Sequence, residues 1–558
     1  MAAIIDLART SVAGELIHFV SGGRLFQFPD QHADFVVPVQ FGLDSEKSSF
    51  RDIVVNDVDI EKKSDADLEA KRDSLSDGDG DDGTLSLPDQ FTVDWYGPSD
   101  PENPQNWPRW KRYLVIFEIC FLTVAVYIGS AIYTPGLQQI VEEFHVNDVV
   151  ALIPLTVYVV GYGIGPMVFA PLSETPWIGR NLIYIPSLFL FVILQVPTAL
   201  SKNIGGLITV RAITGFMSSP PLANGGASMG DVLSPANLAI GLSFWSIFAV
   251  QGPVFGPFLG GVFSQVKNWR WSFWILMWIS SLALVFLFFL LPETSPETIL
   301  QRRARRLRIR TGDARYSTKA EQEYANFSIR SFIYDCIARP IIITFTEPGV
   351  FFLNWYTALI YAVMYCWFEA FPIVFVGVHH FNLIQLGLSY FGISIGVLIA
   401  CAAFISTIRY WLLPRLIRGQ PPEIIFKVAF FAAPMLPIAI LFFGWSATAS
   451  VHWIVPIIGS GIFIVGGFTV FQVVFNYLGM SYPRYLASVF AGNDLFRSCF
   501  AAPFPLFAKA MFTHLGPTKF PVGWGSTLLA CVAALMVLIP IVLLKLGSKL
   551  RSKSIYAN

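Results

Sequence analysis

Between residues 113 and 545 the chain passes through one apolar stretch after another, each about 20 residues long, the length that crosses the hydrocarbon of a bilayer. Twelve such spans are read: 113–133, 150–171, 182–200, 205–229, 238–263 and 270–291, then 348–371, 386–407, 424–444, 453–478, 485–512 and 523–545. Only helices satisfy their own backbone groups in lipid without closing into a barrel, so the expected fold class is an all-α membrane protein. Composition agrees. Of 558 residues, 54% are hydrophobic and 14% charged, against about 25% charged in an ordinary soluble domain.

The spans fall six and six about a polar segment near 292–347. The expected organisation is a disordered acidic tail (1–106), a six-helix bundle (107–291), a basic linker (292–347), a second six-helix bundle (348–545) and a short C-terminal tail (546–558). DGDGDDG (77–83) supports the tail reading. It is not a calcium loop, because Asp82 stands where that loop needs glycine and Pro88 where it needs glutamate. SLSD (74–77) is a weak phosphorylation candidate. With the tail inside, the inner segments hold Arg109, Lys111, Arg112, Arg180, six arginines from Arg302 to Arg310, Arg409, Arg415, Arg418, Arg484, Lys549, Arg551 and Lys553. The outer loops hold Lys202, Lys267, Arg270 and Lys519. The positive-inside rule then places both termini in the cytoplasm. RRARRLRIR (302–310) is expected to anchor on anionic lipid headgroups rather than nucleic acid. The sequon at Asn326 would be unglycosylated on that side. The six cysteines form no CxxC pair and read as buried free thiols. No cleavable signal peptide is evident, so the first span is expected to act as the insertion signal. No GxxxxGK[ST] occurs, which argues against an ATP-driven pump.

Three short stretches carry mechanism. GPMVFAPLSETPWIGRN (165–181) makes a tight loop holding Glu174 and Arg180, and Asp231 lies at the same end of span four. ITVRAITGF (208–216) places Arg211 inside a span, where a charge is costly and by default functional. AVQGPVFGPFLGGVF (249–263) repeats Gly252, Gly256 and Gly260 on one helix face, with Pro253 and Pro257 beside it. Small residues at that spacing let two helix backbones touch, and the expected partner is a helix of the other half.

The first stretch resembles the signature loop of the major facilitator superfamily, the second its RxxxG motif, and the third the antiporter motif of its drug exporters. With DPENPQNWPRWKR (100–112), GGASMGDVLSPANLA (225–239), LPETSPETILQRRARRLR (291–308) and FAGNDLFRS (490–498), the chain from about 95 onward is similar to twelve-span fungal drug:proton antiporters that confer resistance to fluconazole, benomyl and cycloheximide. Ser243 replaces one glycine of the antiporter pattern. The resemblance implies a major facilitator fold and a non-enzymatic monomer in the plasma membrane. It would export small hydrophobic drugs by alternating access, driven by protons, without cofactor, metal or nucleic acid. It assigns Glu174, Arg180 and Asp231 to a conformational latch, Gly252, Gly256, Pro257 and Gly260 to the antiporter contact, and Arg211 to proton coupling. Glu118 and Asp494, carboxylates inside spans, are further proton candidates, and Asp494 can pair with Arg497 one turn on. Glu369 lies near the outer end of span seven. Drug-binding candidates are the stripes Trp245, Phe248 and Gln251; Asn354, Tyr361 and Tyr365; and Phe468, Gln472 and Asn476. The alternative is a dedicated exporter of a toxin or secondary metabolite, or a polyamine transporter.

Overall fold

The computed structural model describes residues 2–22, 24–31, 35, 91–326, 328–482, 485–515 and 519–557. DGDGDDG, SLSD, Phe327 of the sequon and Arg484 lie outside them. Twelve spans cross in alternation between a tail end, where the N-terminal residues and the linker sit, and a far end. Spans one to six are Arg109–Ala131, Asp148–Glu174, Asn181–Ala199, Ile204–Met217 continued by Pro220–Val232, Pro235–Val266 and Trp271–Leu290. Span seven is Pro348–Phe371, eight contains Leu383–Ser389 and Phe391–Thr407, and nine Phe426–Ala432 and Met435–Ser446. Ten is Ile454–Ser481, eleven Leu486–Ala501 continued by Phe504–Leu515, and twelve Gly523–Met536 with Leu538–Arg551. Among the described residues, ten spans hold a helical stretch long and apolar enough to cross a membrane. Spans four and eleven are interrupted, next to Pro220–Pro221 and Pro503, residues that cannot donate to the helix ladder.

Close approaches at glycine set the packing inside the first bundle. A Cβ on Gly215 would strike the Tyr158 backbone, and one on Gly161 would lie 2.7 Å from the Ala212 carbonyl, so spans two and four touch backbone to backbone. The bundles meet along two seams. Span two lies on span eleven, where Gly163 faces Ser498 and the Thr156 hydroxyl donates to the Ala502 carbonyl at 3.1 Å. Span five lies on span eight, where the Ser394 hydroxyl donates to Gln251 Oε1 at 2.6 Å and the Ile384 N–H to Gln265 Oε1 at 3.1 Å. Asp148 and Lys509 pair across the far end.

The N-terminal residues depart from the expected disordered tail. Ala2–Thr10 and Val12–Val20 are helices, the second capped by Ser11, whose hydroxyl accepts the Gly14 N–H at 3.2 Å. Residues 91–93 pair with Ser317 through a bond from the Val93 N–H to the Ser317 carbonyl of 2.8 Å. The linker helix Pro296–Thr311 starts at the Ser295 cap and ends on Gly312, whose φ of +72° suits glycine. Most of its arginines, expected to meet lipid headgroups, also have partners supplied by the chain itself. Arg302 pairs with Glu15, Arg303 with Asp100 at 2.7 Å, Arg306 with Asp30 at 2.6 Å and Glu102 at 3.1 Å, and Arg308 with Glu321 at 2.8 Å. Only Arg305 of the cluster is exposed without a described partner. Asp6 reaches Lys111 of span one at 2.9 Å, tying the segment to the first bundle.

Candidate functional site

A cavity of about 120 Å³ lies between the bundles. It is lined by Trp245, Tyr361, Phe468 and Gln472 of the sequence candidates, and by Asp494 and Arg497. The Trp245 indole fits because Gly225 beneath it has no side chain; a Cβ there would come within 2.9 Å of the ring. Its N–H donates to the Thr123 hydroxyl at 2.9 Å, which fixes the ring plane. Gln251, Tyr365 and Asn476 do not line the cavity in this conformer. Gln251 is spent on Ser394, and the Asn476 amide donates to the Gln472 carbonyl at 2.8 Å. The Tyr365 hydroxyl bonds Tyr162 of span two at 2.9 Å. Phe248 packs on Phe244 with centroids 5.3 Å apart, and Asn354 accepts from the Asn493 amide at 2.8 Å, so these also serve packing. The sequence reading passed over Tyr127, Leu222, Met364, Phe471, Phe475 and Phe490, which line the cavity. Aromatic and aliphatic residues fill every span here, so only the fold distinguishes these from lipid-facing ones.

The tail-end loop gathers its charged groups at one point. Arg180 Nε donates to Asp231 Oδ2 at 3.2 Å and Nη1 to the Ser173 hydroxyl at 2.6 Å. Burial alone would lower the Arg180 guanidinium, but the Asp231 and Glu174 carboxylates hold it above its ordinary value. Glu174 makes no hydrogen bond to Arg180 among those described; it acts at longer range. Burial and this carboxylate push Glu297 up to about 7. The sequence candidates omitted Glu293, whose carboxylate accepts the backbone N–H of Arg180 at 3.0 Å and of Asn181 at 3.2 Å. Its neighbour Thr294 donates to Asp231 at 3.1 Å. Gly179, at φ +72°, turns the chain against Glu293, where a Cβ would lie 2.7 Å from Oε2. The charged cluster expected to act as a latch therefore has a fourth component, the start of LPETSPET after span six.

The glycine ladder of span five faces a different partner from the one expected. Gly252, Gly256 and Gly260 all abut span one of the same bundle. A Cβ on Gly256 would lie 2.9 Å from the Ile128 carbonyl, and one on Gly260 would overlap the Ile132 carbonyl. The contact with the other bundle uses the next face: Gly261 abuts Leu383, and Gly387 lies over Pro257 and Phe258. Spacing identifies a helix face that admits a backbone, but not which backbone.

The sequence model of the Major Facilitator Superfamily matches residues 119–505. The chain belongs to the major facilitator superfamily. Among its relatives, the Cycloheximide resistance protein of Candida maltosa is 41% identical over the whole length of both chains. Transporter mfs1 of Schizosaccharomyces pombe is 47% identical over 84% of this chain and 88% of the relative. Fluconazole resistance protein 1 of Saccharomyces cerevisiae is 44% identical over 87% and 88%. In fold the chain is similar to the proton:xylose symporter XylE, with a TM-score of 0.55 at 13% identity, covering 79% of this chain and 96% of that one.

In this superfamily member the three proton candidates stand apart. Asp494 pairs with Arg497 on the cavity wall, and the guanidinium lies 5.3 Å from the Tyr361 ring centre. Glu118 is buried toward the tail end of span one, and neither carboxylate oxygen has a hydrogen-bond partner among the described residues. Arg211 is fully buried near the far end, donating to the Gly129 carbonyl at 2.7 Å with its carbon 4.1 Å from the Tyr158 ring centre. It has no carboxylate partner among the described residues; carbonyls and aromatic faces hold its charge.

Proposed function

We propose that this protein exports small hydrophobic drugs, such as azoles or cycloheximide-like compounds, in exchange for protons. It would act as a monomer in the plasma membrane with its tail end in the cytoplasm. The observation that carries the reading is the aromatic cavity between the bundles with one buried ion pair, Asp494–Arg497, in its wall. An apolar site with few polar handles selects by hydrophobicity more than by hydrogen-bond pattern. The printed names of the relatives, which speak of cycloheximide and fluconazole resistance, support the substrate class. A polyamine is a poor fit, since among the described residues the only carboxylate on the cavity wall is already paired with Arg497.

The cycle follows from where charge is buried. Protonating Asp494 would remove one half of a buried pair and leave Arg497 free to move, which weakens the wall of the cavity. Deprotonation restores the pair. Arg211, held by carbonyls and aromatic faces instead of an acid, keeps a fixed positive charge at the far end of span four. The test is azole efflux from pump-deleted yeast expressing the protein, with the proton gradient dissipated while ATP is held constant. Efflux collapses if protons drive it; unchanged efflux would remove proton coupling.

A further inference from the structure

Tyr162, in the middle of span two, was not among the sequence candidates. Its hydroxyl bonds the Tyr361 hydroxyl at 2.5 Å and the Tyr365 hydroxyl at 2.9 Å, both on span seven of the other bundle. All three rings are buried. We propose that these tyrosines form a hydroxyl clasp that closes the far side of the cavity and that Tyr162 is its positioning residue.

The geometry supports this in three ways. Tyr361 lines the cavity whereas Tyr162 and Tyr365 do not, so the clasp is the layer behind the wall. Tyr365 lies one turn beyond Tyr361 toward the far end of span seven, while cavity residues Phe475 and Phe490 lie toward the tail end of their spans. Span eleven reaches the same level, because Gly163 beside Tyr162 leaves room for Ser498 and for the turn of Asp494.

The chemistry explains why Tyr162 holds the centre. Tyr361 and Tyr365 sit one helical turn apart on one face of span seven, with ring centres 5.1 Å apart, and the Tyr162 hydroxyl meets both from the other bundle. A hydroxyl donates once and accepts up to twice, so Tyr162 can serve both. Loss of its oxygen removes a hydrogen bond from each of two buried hydroxyls at once. The clasp spans the bundles, so it exists only while they touch at the far end. It is also tied to the groups on either side. Arg497 stands over the Tyr361 ring, and Ser130 of span one adjoins the Tyr365 hydroxyl. The Ser130 carbonyl faces Arg211 Nη2 at 3.4 Å. A molecule that displaces Tyr361 from the cavity side therefore opens the clasp, which links occupancy of the cavity to parting of the far end.

The test measures distances across the far end and needs no substrate, so it stands apart from the drug-export reading. Spin labels are placed at Lys202→Cys and Trp524→Cys, exposed positions on opposite bundles, with the exposed Cys499 and Cys531 replaced by serine. Tyr162→Phe keeps the ring and removes both bonds, and should raise the far-end-open population at least threefold. Tyr365→Phe, which removes one of the two Tyr162 bonds, should give a smaller rise. Tyr356→Phe is the control, a buried hydroxyl on the same span without a hydrogen-bond partner among the described residues, and should leave the distances unchanged. An unaltered distribution in both Tyr162→Phe and Tyr365→Phe would overturn the clasp. So would an equal shift in Tyr356→Phe.

Discussion

Arg180 is held by separate groups for separate purposes: Asp231 and Ser173 take its charge, and Glu293 takes its backbone N–H. Asp231→Ala leaves a buried cation without its anion, which costs roughly 3–5 kcal/mol. Thr294→Val removes one bond to a charged group, worth about 1.5–3 kcal/mol. Thermal unfolding in detergent should rank them in that order, and equal losses would contradict the assigned geometry. Arg211→Ala should abolish drug efflux with normal surface expression, measured by efflux assay and surface labelling together. Arg211→Lys should fail too, because a lysine keeps the charge but not the guanidinium's fixed set of donors to the Gly129 carbonyl beside the Tyr158 ring. The Arg180–Asp231 pair was legible because both residues fall in short motifs at the same end of adjacent spans. Glu293 was not, since it acts through a turn at Gly179 that no spacing encodes.

Span five shows what a single helix face can specify. Gly260→Ala places a methyl on the Ile132 carbonyl and forces spans one and five apart. Overpacking of this kind costs typically 1–3 kcal/mol, and both thermal stability and drug resistance should fall; a fully active, equally stable Gly260→Ala would refute the contact. The N-terminal helices make a second prediction. Burial pushes Glu15 up to about 7 against the pull of Arg302, which Glu293 shares at 3.9 Å. A carboxyl whose docked value is raised above its ordinary one favours docking below that ordinary value and loses the contribution as pH rises through about 7. Backbone hydrogen exchange in residues 2–20 should therefore be slower at pH 5.5 than at pH 7.5, after correction for intrinsic rates. Glu15→Gln should flatten the difference, and a difference that persists unchanged would place its cause elsewhere. These helices escaped the sequence reading because the acids and serines read as solvated tail. Their arginine partners lie nearly 300 residues on, as the Glu15–Arg302 pair shows.

At the scale of the whole molecule, the conformer is closed at the far end by Asp148–Lys509, Thr156–Ala502 and the tyrosines. The cavity of about 120 Å³ falls short of the 300–1,000 Å³ typical of a drug-sized site. Its walls must part before a drug is held, so this arrangement is a contracted point in the cycle rather than a loaded one. The twelve spans and their division were readable from hydropathy alone, because length and apolarity are one-dimensional properties. The cavity was readable only in part, because spans are apolar on all sides and the sequence does not say which face meets protein. The central claim is that an imposed proton gradient alone moves drug through this cavity. The most direct measurement uses purified protein in vesicles without ATP, with a fluorescent azole and a pH indicator followed together after a pH jump. Drug should move against the direction of proton flow, with both movements lost in Arg211→Ala. Drug movement that ignores the gradient, or a gradient that dissipates without moving drug, would contradict it.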